Sequence, residues 1–113
     1  MYKIDIEKRT LENTYYRRVL YTNRKQQLVV MNLLPKEEIG REKHSGSQFF
    51  RIEEGSGRAY VDDQWVKLSP GSVLIINPGM YHNIIAGMGG LKLYTIYSPP
   101  QHPKGTKEKY KRE

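Results

Sequence analysis

Short apolar runs recur along this chain at intervals too close for helices. Between residues 17 and 98, stretches rich in Val, Ile, Leu, Tyr and Phe are separated by Gly, Pro, Asp and Ser clusters every eight to twelve residues. Such a rhythm belongs to an all-β protein. Strands are predicted over 18–21, 27–34, 39–44, 49–53, 57–61, 64–67, 73–76, 82–86 and 91–97, after a turn or two of helix near Lys8–Asn13. Asp62-Asp63 has the chemistry of a tight hairpin, and Gly55-Ser56-Gly57 and Gly87-Met88-Gly89-Gly90 read as flexible turns. Short strands in this order fit a double-stranded β-helix, the jelly-roll barrel, which limits exposed sheet edges and encloses a small cavity.

The 113 residues provide for one domain with one modest core. Residues 1–27 read as an N-terminal extension with the first strand, 28–100 as the barrel, and 101–113 as a basic flexible C-terminal tail. Cysteine is absent, which excludes disulfides, thiolate catalysis and iron–sulfur clusters, so any metal must be held by nitrogen and oxygen. No apolar stretch approaches the length of a membrane span, and the N-terminus lacks the apolar core of a signal peptide; a soluble cytoplasmic protein is expected. The formal charge of +7 suggests a polyanion partner until it is divided along the chain. Residues 28–100 carry seven basic and seven acidic side chains, so the whole excess lies in the two terminal segments. No interleaved aromatic and basic surface motif accompanies it, which argues against nucleic acid.

One constellation carries chemistry. On a strand, residues two apart share a face, so Glu42 and His44 of Glu42-Lys43-His44 project together, and Gln48 opens the next strand on the return. His82, in Asn77-Pro78-Gly79-Met80-Tyr81-His82, would be brought alongside by a closed sheet. Parity supports an inward Gln48, since it shares a face with Phe50 and Ile52 while Phe49, Arg51 and Glu53 fall on the other. Any one of these residues alone reads as a strand end or turn cap in water; the four together point to a divalent metal. Imidazole and oxygen donors suit zinc, nickel, iron and manganese alike. Phe50, Tyr60 and Tyr94 are candidates for lining the cavity, Arg58 is a candidate anion contact, and His102, flanked by proline, reads as a surface residue.

These residues also carry a resemblance. The segment Glu42-x-His44, three residues, Gln48, six residues, Gly55 is similar to the first motif of the cupin superfamily, whose pattern is His-x-His, then Glu, then Gly. The segment Gly71, five residues, Asn77-Pro78-Gly79-Met80-Tyr81-His82 resembles its second motif. Spacing is kept while identities change. Glu42 stands where the family has histidine and Gln48 where it has glutamate, which leaves the formal charge of the donor set unaltered. Asn77 and Ala86 replace a proline and an asparagine outside that set. The wider chain looks like small cupins labelled mannose-6-phosphate-isomerase-like.

The resemblance implies a metal-holding barrel, commonly a homodimer, with a small-molecule ligand. A fold shared by many chemistries does not choose a reaction. Three functions are in contention: an isomerase-like enzyme whose metal polarises a carbonyl or enediol oxygen, a metal-dependent dioxygenase, and a non-catalytic module that binds or senses a sugar or carboxylate.

Overall fold

A computed structural model describes residues 1–112. After α1 (Ile6–Glu12) the chain forms β1 (Arg17–Thr22), β2 (Gln27–Leu33), β3 (Ser47–Val61), β4 (Gln64–Leu68), β5 (Val73–Ile76), β6 (His82–Ser98) and β7 (Lys107–Glu108). All strand pairs are antiparallel, in the order β4-β3-β6-β2-β1-β7, with β5 also paired to β3. The all-β jelly roll expected from the sequence is the fold observed.

Two long strands organise it. Both halves of β3 pair with β6, first as Gln48↔Tyr97 through Gly55↔Leu91, then as Gly57↔Ala86 through Val61↔His82. Between them, residues 87–90 of β6 stand opposite Ser56 alone, a large bulge that bends both strands. The glycine clusters expected to be turns therefore lie within continuous strands. Their physical role is close approach: a Cβ on Gly55, whose φ is +88°, would lie 2.3 Å from the Gly90 carbonyl oxygen. At Asp62-Asp63 the sequence expectation holds, because both residues have positive φ and Val61 pairs with Gln64, as a two-residue primed hairpin requires.

The interior is built by parity. Phe50 and Ile52 of β3, Val29, Met31 and Leu33 of β2, Ile84 and Ala86 of early β6, and Leu91, Leu93 and Tyr97 of late β6 form one buried cluster. Each large apolar side chain so buried contributes about 1.5–3 kcal/mol of transfer free energy. The bulge switches β6 from even to odd inward positions. α1, capped by Asp5 Oδ1 accepting from Lys8 N at 3.1 Å, packs on the outer face of β2, β3 and β6. That cover accounts for Val30, which points outward yet is buried.

Two further sequence expectations fail. Residues 39–44 do not form a strand: the segment makes isolated bridges, Glu38↔Ile85 and Glu42↔His82, and turns at Gly40 with φ +110°. The C-terminal segment, expected to be a flexible solvated tail, is packed. β7 pairs with β1 through Arg17↔Glu108 and Arg18↔Lys107, and the buried Gln27 amide holds the backbone of Gln101 and His102. Its lysines suggested solvent by composition, but Lys107 and Lys109 lie over the Tyr15 ring at 4.7 and 4.8 Å.

Because the atom nearest a Cβ at Gly55 is a backbone oxygen with little freedom to move, Gly55→Ala should lower unfolding stability by about 3 kcal/mol. Urea denaturation of the variant beside Gly89→Ala, where a Cβ would meet open space, checks this; equal midpoints would contradict it.

Candidate metal centre

Glu42 and His82 face each other across two reciprocal backbone hydrogen bonds of 2.9 Å, Glu42 N to His82 O and His82 N to Glu42 O. Residues so paired send their side chains to one side. His44 follows two residues later, its carbonyl accepting from Gly79 N at 2.8 Å, which ties the irregular donor segment to the Pro78-Gly79 turn. The donor atoms of Glu42, His44 and His82 lie within 4.8 Å of one another. Ligand bonds of about 2.0–2.2 Å allow donors of one ion to stand up to about 4.2 Å apart, so small side-chain rotations bring these three onto a single ion.

Gln48 joins them from β3. It is buried, its Nε2 donates to Thr95 Oγ1 at 3.0 Å, and its Oε1 sits 3.1 Å from His82 Nε2. The other His82 nitrogen, Nδ1, lies 3.1 Å from the Met80 carbonyl. Both ring nitrogens therefore face oxygen acceptors, while a neutral imidazole has one N–H to give. Two arrangements relieve this conflict. The Gln48 amide can turn over and donate to His82 Nε2 while accepting from Thr95, or a cation can take both the imidazole lone pair and the amide oxygen.

Orphaned atoms favour a cation. Glu42 Oε1 and His44 Nε2 are buried without a hydrogen-bond partner, and His44 Nε2 stands 3.5 Å from Glu42 Oε2, too far for a good hydrogen bond. Uncompensated buried polar atoms cost about 1–3 kcal/mol each, a cost a shared ion removes. Burial, the largest influence, holds the His82 pKa below the usual imidazole value against the opposing effects of Met80 and Glu42. The ring is then neutral near pH 7 and able to coordinate. The residues present fit a divalent ion bound by nitrogen and oxygen.

Around this cluster lie groups that the sequence reading passed over or placed on the surface. The Tyr97 ring, buried at 1% exposure, meets His44 edge-on with centroids 5.5 Å apart, and its hydroxyl is 3.2 Å from His102 Nε2. Burial pushes the Tyr97 pKa up, Glu42 adding to the effect and Arg17 opposing it, so the phenol keeps its proton. His102 is half-buried rather than a surface residue, and burial pushes its pKa down to about 4. Tyr97 was legible as an alternate position in the run Leu91, Leu93, Thr95; His102 and Arg17 had no sequence signal.

Phe50 lies inside, its ring 6.0 Å from that of His82. Tyr60 and Tyr94 do not line the interior. Tyr60 donates from its hydroxyl to Asp63 Oδ1 at 2.6 Å and packs on Trp65 outside the barrel. Tyr94 packs beside Phe49 on the outer face, because the bulge at 87–90 had reversed the parity of β6. Arg58 is also outside, over Trp65 at 4.5 Å, and borders a separate open cavity of about 890 Å³ that contains none of the four donors.

The family model for the cupin domain matches residues 29–97. The chain belongs to the cupin family. It is 43% identical over 111 residues to uncharacterized protein L612 of Acanthamoeba polyphaga mimivirus, covering 93% of this chain and 69% of that protein. To uncharacterized protein YrkC of Bacillus subtilis strain 168 it is 36% identical over 111 residues, covering 91% of this chain and 60% of the relative. The chain thus spans only part of the length of these relatives. The crystal structure of BH2720 from Bacillus halodurans superposes with a TM-score of 0.92 at 34% identity, over 96% of this chain and 88% of that one. Among the described residues, no helix is long and apolar enough to cross a membrane.

The low His102 pKa has a consequence for stability. An unfolded histidine takes its proton near 6.5, whereas the folded ring resists until about 4. Stability from this group is therefore full above pH 6.5 and lost as the pH falls from there toward 4. His102→Gln should show a smaller drop in Tm between pH 7 and 4.5 than the unaltered protein, both metal-free. Identical drops would assign the acid sensitivity to other groups.

Proposed function

We propose that this cupin holds one divalent metal ion through Glu42, His44, His82 and Gln48 and uses it to bind or transform a small polar molecule such as a sugar or carboxylate. The observation that supports this most directly is the pair of orphaned buried atoms, Glu42 Oε1 and His44 Nε2, converging with the His82 ring. The ion, when bound, would supply a Lewis acid for a ligand oxygen. The protein's own contribution is orientation and proton placement: Phe50 walls the site beside His82, and the Tyr97 hydroxyl holds a proton within hydrogen-bonding distance of His102. An isomerase-like proton shift would use such a donor. A non-catalytic binding module would need only the metal and room for a ligand beside it, and a dioxygenase would need a redox-active ion and O2.

Elemental analysis of gently purified protein should find near-stoichiometric metal, and His44→Ala and His82→Ala should each lose at least nine-tenths of it while remaining folded by circular dichroism. Equal, negligible metal in all three after reconstitution with zinc, nickel, iron and manganese would overturn the reading. With metal in place, turnover under a redox-inert ion supports isomerisation, dependence on iron or manganese and O2 supports dioxygenation, and a ligand-induced rise in Tm without turnover supports the binding module.

We propose further that two copies pair through the outer sheet face. Ile75, Phe49, Ile96, Leu28 and Tyr21 are consecutive cross-strand neighbours in β5, β3, β6, β2 and β1, all pointing outward, with Ile75 at 66% exposure. An apolar row of this length across a sheet suits an isologous interface. Sedimentation velocity at 50–100 μM, on the order of the range that populates weak dimers, should give a dimer for the unaltered chain and a monomer for Ile75→Asp. A monomeric unaltered chain would contradict this pairing.

A further inference from the structure

The open cavity of about 890 Å³ beside Arg58 lies apart from the metal donors, none of which lines it. Clefts of roughly 300–1,000 Å³ take small molecules. Its wall follows a row of consecutive cross-strand neighbours: Lys67 of β4, Arg58 of β3, Ile85 of β6 and Glu38 of the segment before the metal donors. Ile85 points outward between the buried Ile84 and Ala86, and Met88, on the bulge, is 74% exposed, so the wall has an apolar part. None of the residues in the outward row proposed for pairing of two copies belongs to it.

Three cations line this cavity, and two kinds of cost attend their placement. Arg58 and Lys67 are direct partners across β3 and β4, and like charges so opposed destabilise a sheet. Lys36 stands third in the turn Leu34-Pro35-Lys36-Glu37, closed by Glu37 N donating to the Leu34 carbonyl at 3.0 Å. Its φ of +66° is the conformation for which that position of such a turn selects glycine. The Lys36 N–H donates to the Gly87 carbonyl at 3.0 Å, which fixes the turn beside the bulge. Among the described residues, none of the three cations forms an ion pair with a carboxylate. Glu38, the carboxylate on the wall, instead accepts from Asn83 Nδ2 at 3.1 Å. The Arg58 guanidinium is oriented by the Trp65 ring, 4.5 Å away, a face contact that leaves its N–H edge free to donate.

We propose that this cavity is a second ligand site, which takes a phosphate monoester with an apolar body. Three cations against one carboxylate leave two positive charges on the wall, and a phosphate monoester carries about −1.5 to −2 at pH 7. Arg58 and Lys67 hold the phosphate oxygens, the guanidinium through paired N–H groups and the ammonium as a point charge. An anion between them turns their mutual repulsion into a shared contact. Ile85 and Met88 receive the apolar body, and Lys36 bounds the site beyond β6. The site needs no metal.

The test uses the full chain, metal-free, at constant ionic strength set by chloride, with phenyl phosphate and inorganic phosphate as probes. Trp65 is the single tryptophan, so its emission reports from beside Arg58. Phenyl phosphate should change that emission saturably, at a midpoint about tenfold below that of inorganic phosphate, because its ring is buried against the apolar wall. Lys67→Gln should raise the phenyl phosphate midpoint about tenfold and Lys36→Gly about threefold, from loss of charge-assisted contacts. Lys25→Gln, the same change of net charge at the β1–β2 turn, should leave it in place. Without ligand, the Tm of Lys67→Gln and Lys36→Gly should equal or exceed that of the unaltered protein, since each removes a feature that the fold alone disfavours.

Phenyl phosphate that moves neither Trp65 emission nor the amide resonances of residues 57, 58 and 85–88 would overturn the proposal. So would equal midpoints for the two phosphates, or for Lys67→Gln and Lys25→Gln. Weaker binding joined to a lower ligand-free Tm in Lys67→Gln and Lys36→Gly would assign these cations to support of the fold and would also overturn it.

Discussion

Backbone contact between β3 and β6 at Gly55 and Gly90 is the constraint on which the rest of this molecule depends. No side chain fits between these strands there, since a Cβ at Gly55 would meet the Gly90 oxygen at 2.3 Å. The strands therefore bend together and pass from one wall of the barrel to the other while staying paired. The residues accommodated in the bulge, 87–90, switch the inward positions of β6 from even to odd. His82 and Ile84 face inward before it, and Thr95 and Tyr97 after it. The candidate metal ligand His82 at one end of β6 and the Tyr97 phenol at the other are thus presented to one interior by a single strand.

Buried polar groups in this interior divide into two kinds. Gln27 is fully buried and saturated: its amide nitrogen donates to Thr22 and to the His102 carbonyl, and its oxygen accepts from Gln101 N and His102 N. A satisfied amide of this sort fixes the C-terminal segment against β2 and has no capacity left for a ligand. Glu42, His44 and Arg17 are the opposite case, each with a buried atom that finds no partner. Folding alone would select against such atoms, so their concentration around Tyr97 marks the part of the core arranged for something other than stability. Arg51 and Glu53 also have unpartnered atoms but pair with each other at 3.0 Å on the outer face, away from this interior.

Much of this was legible in the sequence, and the failures have definite causes. Strand rhythm located β2, β4 and β5 closely, and the two-residue spacing of Gln48, Phe50 and Ile52 gave the inward face of β3 correctly. The glycine clusters misled because glycine permits both a turn and a close strand crossing, and only the partner strand decides which. Tyr94, offered as a cavity residue, lies on the outer face because the bulge makes the odd positions of late β6 the inward ones. Glu42 and His44 were paired by strand parity, whereas the segment is irregular and Glu42 is aimed by its bridge to His82. The C-terminal segment was misjudged because its lysines report composition, while its attachment depends on Gln27 and Arg17, remote in sequence and silent until the barrel closes.

The exchanged donor identities acquire a physical sense in this geometry. With a carboxylate at 42 and an amide at 48, negative charge sits on the loop side of the cluster, directly opposite His82, where it favours a cation. At position 48 a neutral amide donates to Thr95 while presenting its oxygen to His82, a dual role closed to an ionised carboxylate, which only accepts. The exchange keeps the net charge of the set while tying the β3 side chain to Thr95. It also leaves Arg17 as a cation within the same interior, paired with Glu108 rather than with a donor of the cluster. The core thereby keeps one anionic and one cationic group that act with opposite sign on the same buried phenol, Glu42 raising the Tyr97 pKa and Arg17 lowering it.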